Sequence, residues 1–316
     1  MNEITTTRNN HLIDPVMNIY GWEIAVYLFL GGLVAGMMII SGYFLFKGRQ
    51  REELCSCYYM PFLSIVLLSI GMFTLFLDLD HKLYVWRMYL TFQIKSPMSW
   101  GAWILIFVYP ALIASMIIRI PWYIPVKLKF LFNWSEKLNS LNNGVKIVGI
   151  INMILGGMLG IYTGILLSSF GARPLWNSAI LGLLFLTSGL STASALIHML
   201  SKNKDESLLL AKADNNFLIA ELILIGLFII GLLSSTQVHI DAVKIILTGS
   251  YAPAFWVFVV LLGIIIPLII QSLAVRHKIN HTPVAPILVI TGGLILRFVL
   301  VYAGQLSHWT KNTFFE

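Results

Sequence analysis

Residues 22–46 read WEIAVYLFLGGLVAGMMIISGYFLF. Glu23, at the second position, is the one charged side chain among these 25 residues. As a helix rising 1.5 Å per residue the stretch is about 37 Å long, enough to cross roughly 30 Å of hydrocarbon. Its apolar residues run continuously instead of alternating, and the run is too long for a barrel strand. It is also too long and too far from Met1 for a cleavable signal peptide, and the acidic Glu23 argues against one as well. Seven further runs of this kind lie near 60–79, 98–119, 145–169, 175–199, 216–234, 252–275 and 284–305. The expected fold is an all-α integral membrane protein with eight transmembrane helices, arranged as two four-helix bundles within a single membrane domain spanning 1–316.

Composition points the same way. Of 316 residues, 58% are hydrophobic and 11% are charged, where a soluble domain carries about 25% charged residues. The mean hydropathy is +0.84. So few charges do not cover a globular surface, which excludes a soluble enzyme, a nucleic-acid module and a disordered protein. The net charge of +7 comes from basic residues in short loops between apolar runs. Loops after the odd-numbered helices hold 13 Lys and Arg, the opposite side holds 7, and Arg297 lies inside a helix. The excess predicts that the odd loops face the cytoplasm and that both termini are outside. The connection near 120–144, with Pro121, Pro125, Trp122, Phe130, Phe132 and Trp134, reads as a segment along the membrane surface. Cys55 and Cys57 are too few for a disulfide framework and read as plain loop thiols.

Two Gly-rich stretches, Gly31–Gly36 and Gly156–Gly160, predict close helix packing. An ionisable group inside the bilayer costs about 2.5–3.5 kcal/mol, so each needs a reason. Glu23 and Tyr27 open the first helix on one face, and Asp78 and Asp80 close the second. Tyr162 falls about 10 Å below the outer end of the fourth helix, Arg297 about 12 Å below that of the eighth, and Glu221 about 8 Å from the inner end of the sixth. Glu23, Tyr27, Asp78 and Tyr162 all fall near the outer face. Together they would line a polar pocket for a ligand with an apolar tail and a proton-exchanging head, which describes a quinone. Glu221 and Arg297 are expected at different depths along the membrane normal. With the Ser/Thr stripe Thr187, Ser188, Ser191, Thr192 and Ser194 they would form a column able to carry protons; a static network is the plainer alternative. The seven histidines fall in loops, tails or helix ends, so a bis-histidine haem is not expected.

Four segments carry a family resemblance. They are Trp22-Glu23-Ile24-Ala25-Val26-Tyr27-Leu28-Phe29-Leu30-Gly31-Gly32, Ser96-Pro97-Met98-Ser99-Trp100-Gly101-Ala102-Trp103, Tyr162-Thr163-Gly164 with Arg173-Pro174-Leu175-Trp176-Asn177, and Leu296-Arg297-Phe298-Val299-Leu300-Val301-Tyr302-Ala303-Gly304-Gln305. In this order the protein resembles the NrfD/PsrC family, the integral membrane subunits of nitrite-, polysulfide- and related bacterial respiratory complexes. The resemblance implies a subunit of the cytoplasmic (inner) membrane that binds menaquinone or ubiquinone and holds neither haem nor metal. It implies a ferredoxin-like [4Fe–4S] partner at the outer face and a terminal catalytic subunit, a molybdopterin enzyme or a multihaem cytochrome. The quinone-contacting tyrosine of the family matches Tyr162, and the polar positions at the start of its first helix match Glu23 and Tyr27, where some members carry Asn and His. A secondary transporter and a passive anchor are the rival readings.

Overall fold

The computed structural model describes residues 20–49, 54–79, 81–119, 129–140, 143–276 and 282–308. Asp80, Pro121, Trp122 and Pro125, singled out above, lie outside them. The described residues are helical and contain no strand. The helices are α1 (Trp22–Phe46), α2 (Cys55–Tyr58), α3 (Met60–Asp78), α4 (Arg87–Leu90), α5 (Pro97–Ile118), α6 (Lys129–Ser140), α7 (Gly144–Ser168), α8 (Ile180–Leu200), α9 (Lys204–Leu233), α10 (Gln237–Leu247), a π-helical stretch Ala254–Ile265 continuing as α11 (Ile266–Val275), and α12 (Val284–Leu306). Eight of these segments are long and apolar enough to cross a membrane.

The eight pack as two groups of four. Helices α1, α3, α5 and α7 form one, with α1 against α3 and α7, and α5 against α3 and α7. Helices α8, α9, the π-helical stretch with α11, and α12 form the other. The groups join where α1 packs on α8 and α12, and α7 on α8. This central position suits the sequence of α1, apolar on every face, since such a helix belongs in a core. Its small residues permit the approach: a Cβ added at Gly36 would sit 2.3 Å from the Gly189 carbonyl oxygen, and one at Gly156 would sit 2.8 Å from that of Ala35. Gly36 and Gly156 thus pack helices, as the sequence predicts, while Gly157 of the second stretch has no neighbour among the described residues within 4 Å of an added Cβ.

Two helix starts differ from expectation. The segment Arg173–Asn177 turns instead of beginning a helix, and α8 starts only at Ile180. The sixth span begins at Lys204, twelve residues before the expected 216. Asn203 caps it, its side-chain oxygen accepting from the Asp205 amide at 2.9 Å, and Asp205 and Glu206 occupy the first turn where the helix dipole favours acid. Hydropathy stops the expected span short of the charged residues that this capped helix carries into the bundle.

Candidate functional site

At the end of the bundle where α1 begins, α1, α3, α5, α7 and the segment between α3 and α5 enclose a chamber of about 380 Å³. Tyr27 from α1, Asp78 from α3 and Tyr162 from α7 line it, with Tyr20 and Tyr89 contributing two more phenols. The rest of its wall is mostly apolar, including Met72, Leu75, Met88 and Phe170. Tyr27 is 2% exposed and Tyr162 5% exposed, yet neither hydroxyl makes a hydrogen bond to any described residue. Neither hydroxyl oxygen is sealed from the chamber, so both offer it an uncommitted hydrogen-bonding group. Burial, and secondarily the charge of Asp78, pushes the Tyr20 phenol up to about 12. Burial and the neighbouring Tyr109 raise Tyr89 too. Both therefore keep their protons at neutral pH and can donate.

Helix ends hold this wall in place through the family-like segments. Gln305 on α12 pairs with the backbone of Tyr20, accepting from its amide at 3.0 Å and donating to its carbonyl at 2.9 Å. Arg173 donates to the Ser307 carbonyl at 2.9 Å, and the Trp176 indole to that of Leu300 at 2.7 Å. The Trp176 ring lies on the backbone of Gly304, where a Cβ would come within 1.8 Å of Nε1, and meets the rings of Tyr20 and Phe170. On α5, the Trp100 indole donates to Ile94 at 2.8 Å, and Ser99 accepts from the Gln93 amide at 3.0 Å, so the segment over the chamber is tied down at its end.

The structure thus brings Tyr27, Asp78 and Tyr162 together. Glu23 is not in the chamber lining; its carboxylate folds back over Gly21, next to the start of α1.

A second polar group lies between α8, α9 and α12. Arg297 donates from Nη1 to the Ser188 hydroxyl and to the Gly293 carbonyl at 3.2 Å, from Nη2 to the Phe185 carbonyl at 3.0 Å, and rests on the Phe185 ring. Glu221 interacts with the same Ser188 and with the Arg297 charge. The expected offset between Glu221 and Arg297 is corrected here. Because α9 begins at Lys204, Glu221 lies 17 residues from that end, about 25 Å rather than about 8 Å. Counted from the chamber end, Glu221 is about 18 Å deep and Arg297 about 13 Å, nearly level. One turn along α8 from Ser188, Ser191 donates to Asp214 at 2.7 Å, and Gln271 on α11 donates to the other Asp214 oxygen at 2.7 Å. At the far end of the bundle the Glu206 carboxylate accepts from the Cys55 amide at 3.0 Å, the Ser56 amide at 3.0 Å, the Ser56 hydroxyl at 2.6 Å and the Ser201 hydroxyl.

Sequence reading does not single out Asp214, Glu206, Tyr20 and Tyr89. The expected spans leave Asp214 and Glu206 in a loop; the signal that could have found them is Asn203-Lys204-Asp205-Glu206, a helix start. Tyr20 precedes the first span and Tyr89 sits in a loop helix, where no periodicity marks a wall residue.

Fold and chamber together define a multi-pass helical membrane protein with a hydrogen-bonding cavity at one end of its bundle. A family model described as "Polysulphide reductase, NrfD" matches residues 10–308, and the chain belongs to this family. That membership makes it a membrane-anchor subunit of a respiratory oxidoreductase. It is 29% identical to the C subunit of polysulfide reductase from Wolinella succinogenes, over 91% of its own length and 94% of that subunit. It is 28% identical to the NrfD homolog of Haemophilus influenzae, over 92% and 95%, and 26% identical to NrfD of Escherichia coli, over 92% and 96%.

Proposed function

We propose that this subunit binds a membrane quinol in the chamber and passes its electrons to a ferredoxin-like [4Fe–4S] subunit docked at the same end. A terminal catalytic subunit, a molybdopterin enzyme or a multihaem cytochrome, completes the circuit. The chamber end faces outward from the bacterial cytoplasmic membrane in this reading, with both termini on that side, in keeping with the Lys and Arg excess on the other. The observation that carries the reading is the pair of buried, unpartnered phenols, Tyr27 and Tyr162, facing an apolar space beside Asp78.

The donor set fits a quinone, whether menaquinone or ubiquinone. A flat ring with two oxygens needs donors to its carbonyls and an acceptor for its protons, inside apolar walls. Oxidation of the quinol releases two electrons, which reduce the partner's clusters, and two protons. Tyr162 and Tyr27 orient the ring by donating to its oxygens. Asp78, at the chamber end of α3, accepts a proton and returns it to the adjacent water. Glu23, on the same face of the membrane but outside the lining, acts as the next acceptor toward solvent. The Glu221, Arg297 and Ser191 column, extended by Asp214, supplies a second component. It is a polar path from the bundle interior toward the chamber, along which protons cross and make turnover electrogenic.

The test is quinol oxidation by the assembled complex with a quinone-site inhibitor. Inhibitor-sensitive turnover that falls in Asp78→Asn supports the reading. Turnover that ignores both inhibitor and substitution reduces the subunit to a passive anchor. Proteoliposomes of wild type and Glu221→Gln test the column: the relay reading requires proton movement beyond that released by quinol itself, lost in the variant.

A further inference from the structure

Tyr162 borders two spaces at once. One face lines the chamber. The other lines an open recess of about 430 Å³ on the outside of the bundle, between α5 and α7. Trp100 and Ile104 of α5 and Met153, Gly157, Met158 and Ile161 of α7 form the recess, so Tyr162 is its one hydroxyl-bearing residue among the described residues. The partition is thin. The Tyr162 ring lies directly on the α5 backbone at Gly101, where an added Cβ would fall 2.0 Å from Cζ. Any side chain at position 101 would push the ring away.

The recess has a floor that packing does not explain. Gly156 is needed, because its neighbour across the interface is the Ala35 carbonyl of α1. At Gly157 an added Cβ would meet nothing within 4 Å. Glycine inside a helix costs about 1 kcal/mol relative to alanine, so a glycine without a packing partner keeps space open at a cost. From Met153 to Tyr162 the recess follows α7 for about 13 Å, from the middle of the bundle to the chamber wall.

We propose that this recess holds the polyprenyl tail of the quinone whose head occupies the chamber, with Tyr162 as the wall around which ring and tail join. The inference rests on the quinol reading above and adds where the tail leaves the protein. A chamber of about 380 Å³ admits a ring but not a long prenyl chain, and an apolar tail belongs in hydrocarbon and not in the water above α4. The lateral wall at Gly101 and Tyr162 is one ring thick, and beyond it lies a groove whose walls are apolar and whose floor is bare. Sharing the Tyr162 wall with the chamber favours the ligand's own tail over the acyl tail of a bulk lipid.

The test compares ligands that share a head but differ in tail. Menadione with menaquinone-4, and ubiquinone-0 with ubiquinone-4, are titrated against the protein in nanodiscs, with ligand-dependent thermal stabilisation as the readout. Gly157→Leu fills the floor without touching the chamber, and Gly157→Ala provides a milder step should the larger residue disturb folding. The expected result is a several-fold loss of affinity for the tailed quinone, graded from alanine to leucine, with the tail-less analogue bound as in wild type. Equal loss of both ligands, or no loss of either, overturns the tail site and leaves the recess to bulk lipid. Failure of wild type to bind either tail-less quinone overturns the chamber reading itself, a separate outcome.

Discussion

The two ends of the bundle use similar groups in opposite ways. At the far end, the Glu206 carboxylate is saturated by four donors from α2 and the α8–α9 turn. At the chamber end, buried phenols and the Asp78 carboxylate surround empty space, and the Tyr27 and Tyr162 hydroxyls have no partner among the described residues. Burial alone therefore does not separate a site from a fastener, because Glu206 and Tyr27 are equally hidden. Satisfaction does. A buried polar group with every bond made holds the protein together, and one whose hydroxyl opens uncommitted on a cavity is available to a ligand. Between the ends, Arg297 is held through Nη1 and Nη2 while its buried Nε has no partner among the described residues, so this group is fastened in part and carries the charges a relay needs.

The largest expected effect falls on that middle group. Arg297→Leu removes three hydrogen bonds and leaves Glu221 buried without its counter-charge. Each hydrogen bond from a charged group is worth about 1.5–3 kcal/mol, and an uncompensated buried charge adds to the loss. The thermal midpoint in detergent should drop sharply, and pairing the change with Glu221→Gln should recover part of the loss, since the stranded charge is then gone. If the double variant is as unstable as Arg297→Leu alone, Glu221 is not the partner that matters. Glu206→Ala comes next. It removes the acceptor for two α2 amides and two hydroxyls near the bundle end, where water can replace some of the bonds, so about 1–3 kcal/mol is expected. The loss should be local, exposing α2 to proteolysis before the spans unfold. Quinol affinity should not change.

These assignments show what the sequence could and could not reveal. Eight spans were legible because each is a long apolar run, and that signal survives any detail of packing. Tyr27, Asp78 and Tyr162 were legible as neighbours because helix direction alone places them at one end. Asp214 and Glu206 were not. They lie in the capped start of α9, where charge density lowers the hydropathy, and the same error placed Glu221 too near the helix end. Their partners, Ser191, Gln271 and the α2 amides, come from other helices, and one sequence does not fix which helix faces turn toward each other. Glu23 illustrates the converse. It sits at the right depth beside the chamber, but its own flexible side chain takes its carboxylate back over Gly21.

Tyr162→Phe sharpens the comparison through its sign. Deleting an unpartnered hydroxyl that opens on the chamber leaves the ring's contact with Gly101, so the ligand-free protein should be about as stable as wild type. Quinol affinity should fall about tenfold, the worth of one hydrogen bond of roughly 1.4 kcal/mol. A fastener gives the opposite pattern, losing stability and keeping affinity. Thermal unfolding with and without quinol therefore separates the two roles in a single substitution.

The smallest effect is expected at Cys55 and Cys57, which belong to the sealed end. Burial pushes both thiols up to about 12; Glu206 adds to the rise at Cys55, while the Arg119 charge partly opposes it at Cys57. The thiolate is the reactive form, so at pH 8 only roughly one molecule in ten thousand would carry it at either position. Maleimide labelling of the folded protein should be slow there and should quicken as pH rises toward the thiol range. The sign for stability follows from the same shift. Above pH 9, the ordinary value for these thiols, the unfolded state loses protons that the folded state keeps, so stability falls as pH rises from there toward 12. Glu206→Ala, by freeing α2, should speed labelling at pH 8 without altering quinol binding. Rapid labelling of the unsubstituted protein at that pH would mean that α2 is not held as the Glu206 bonds require, and the contrast between a sealed end and an open one would lose its first member.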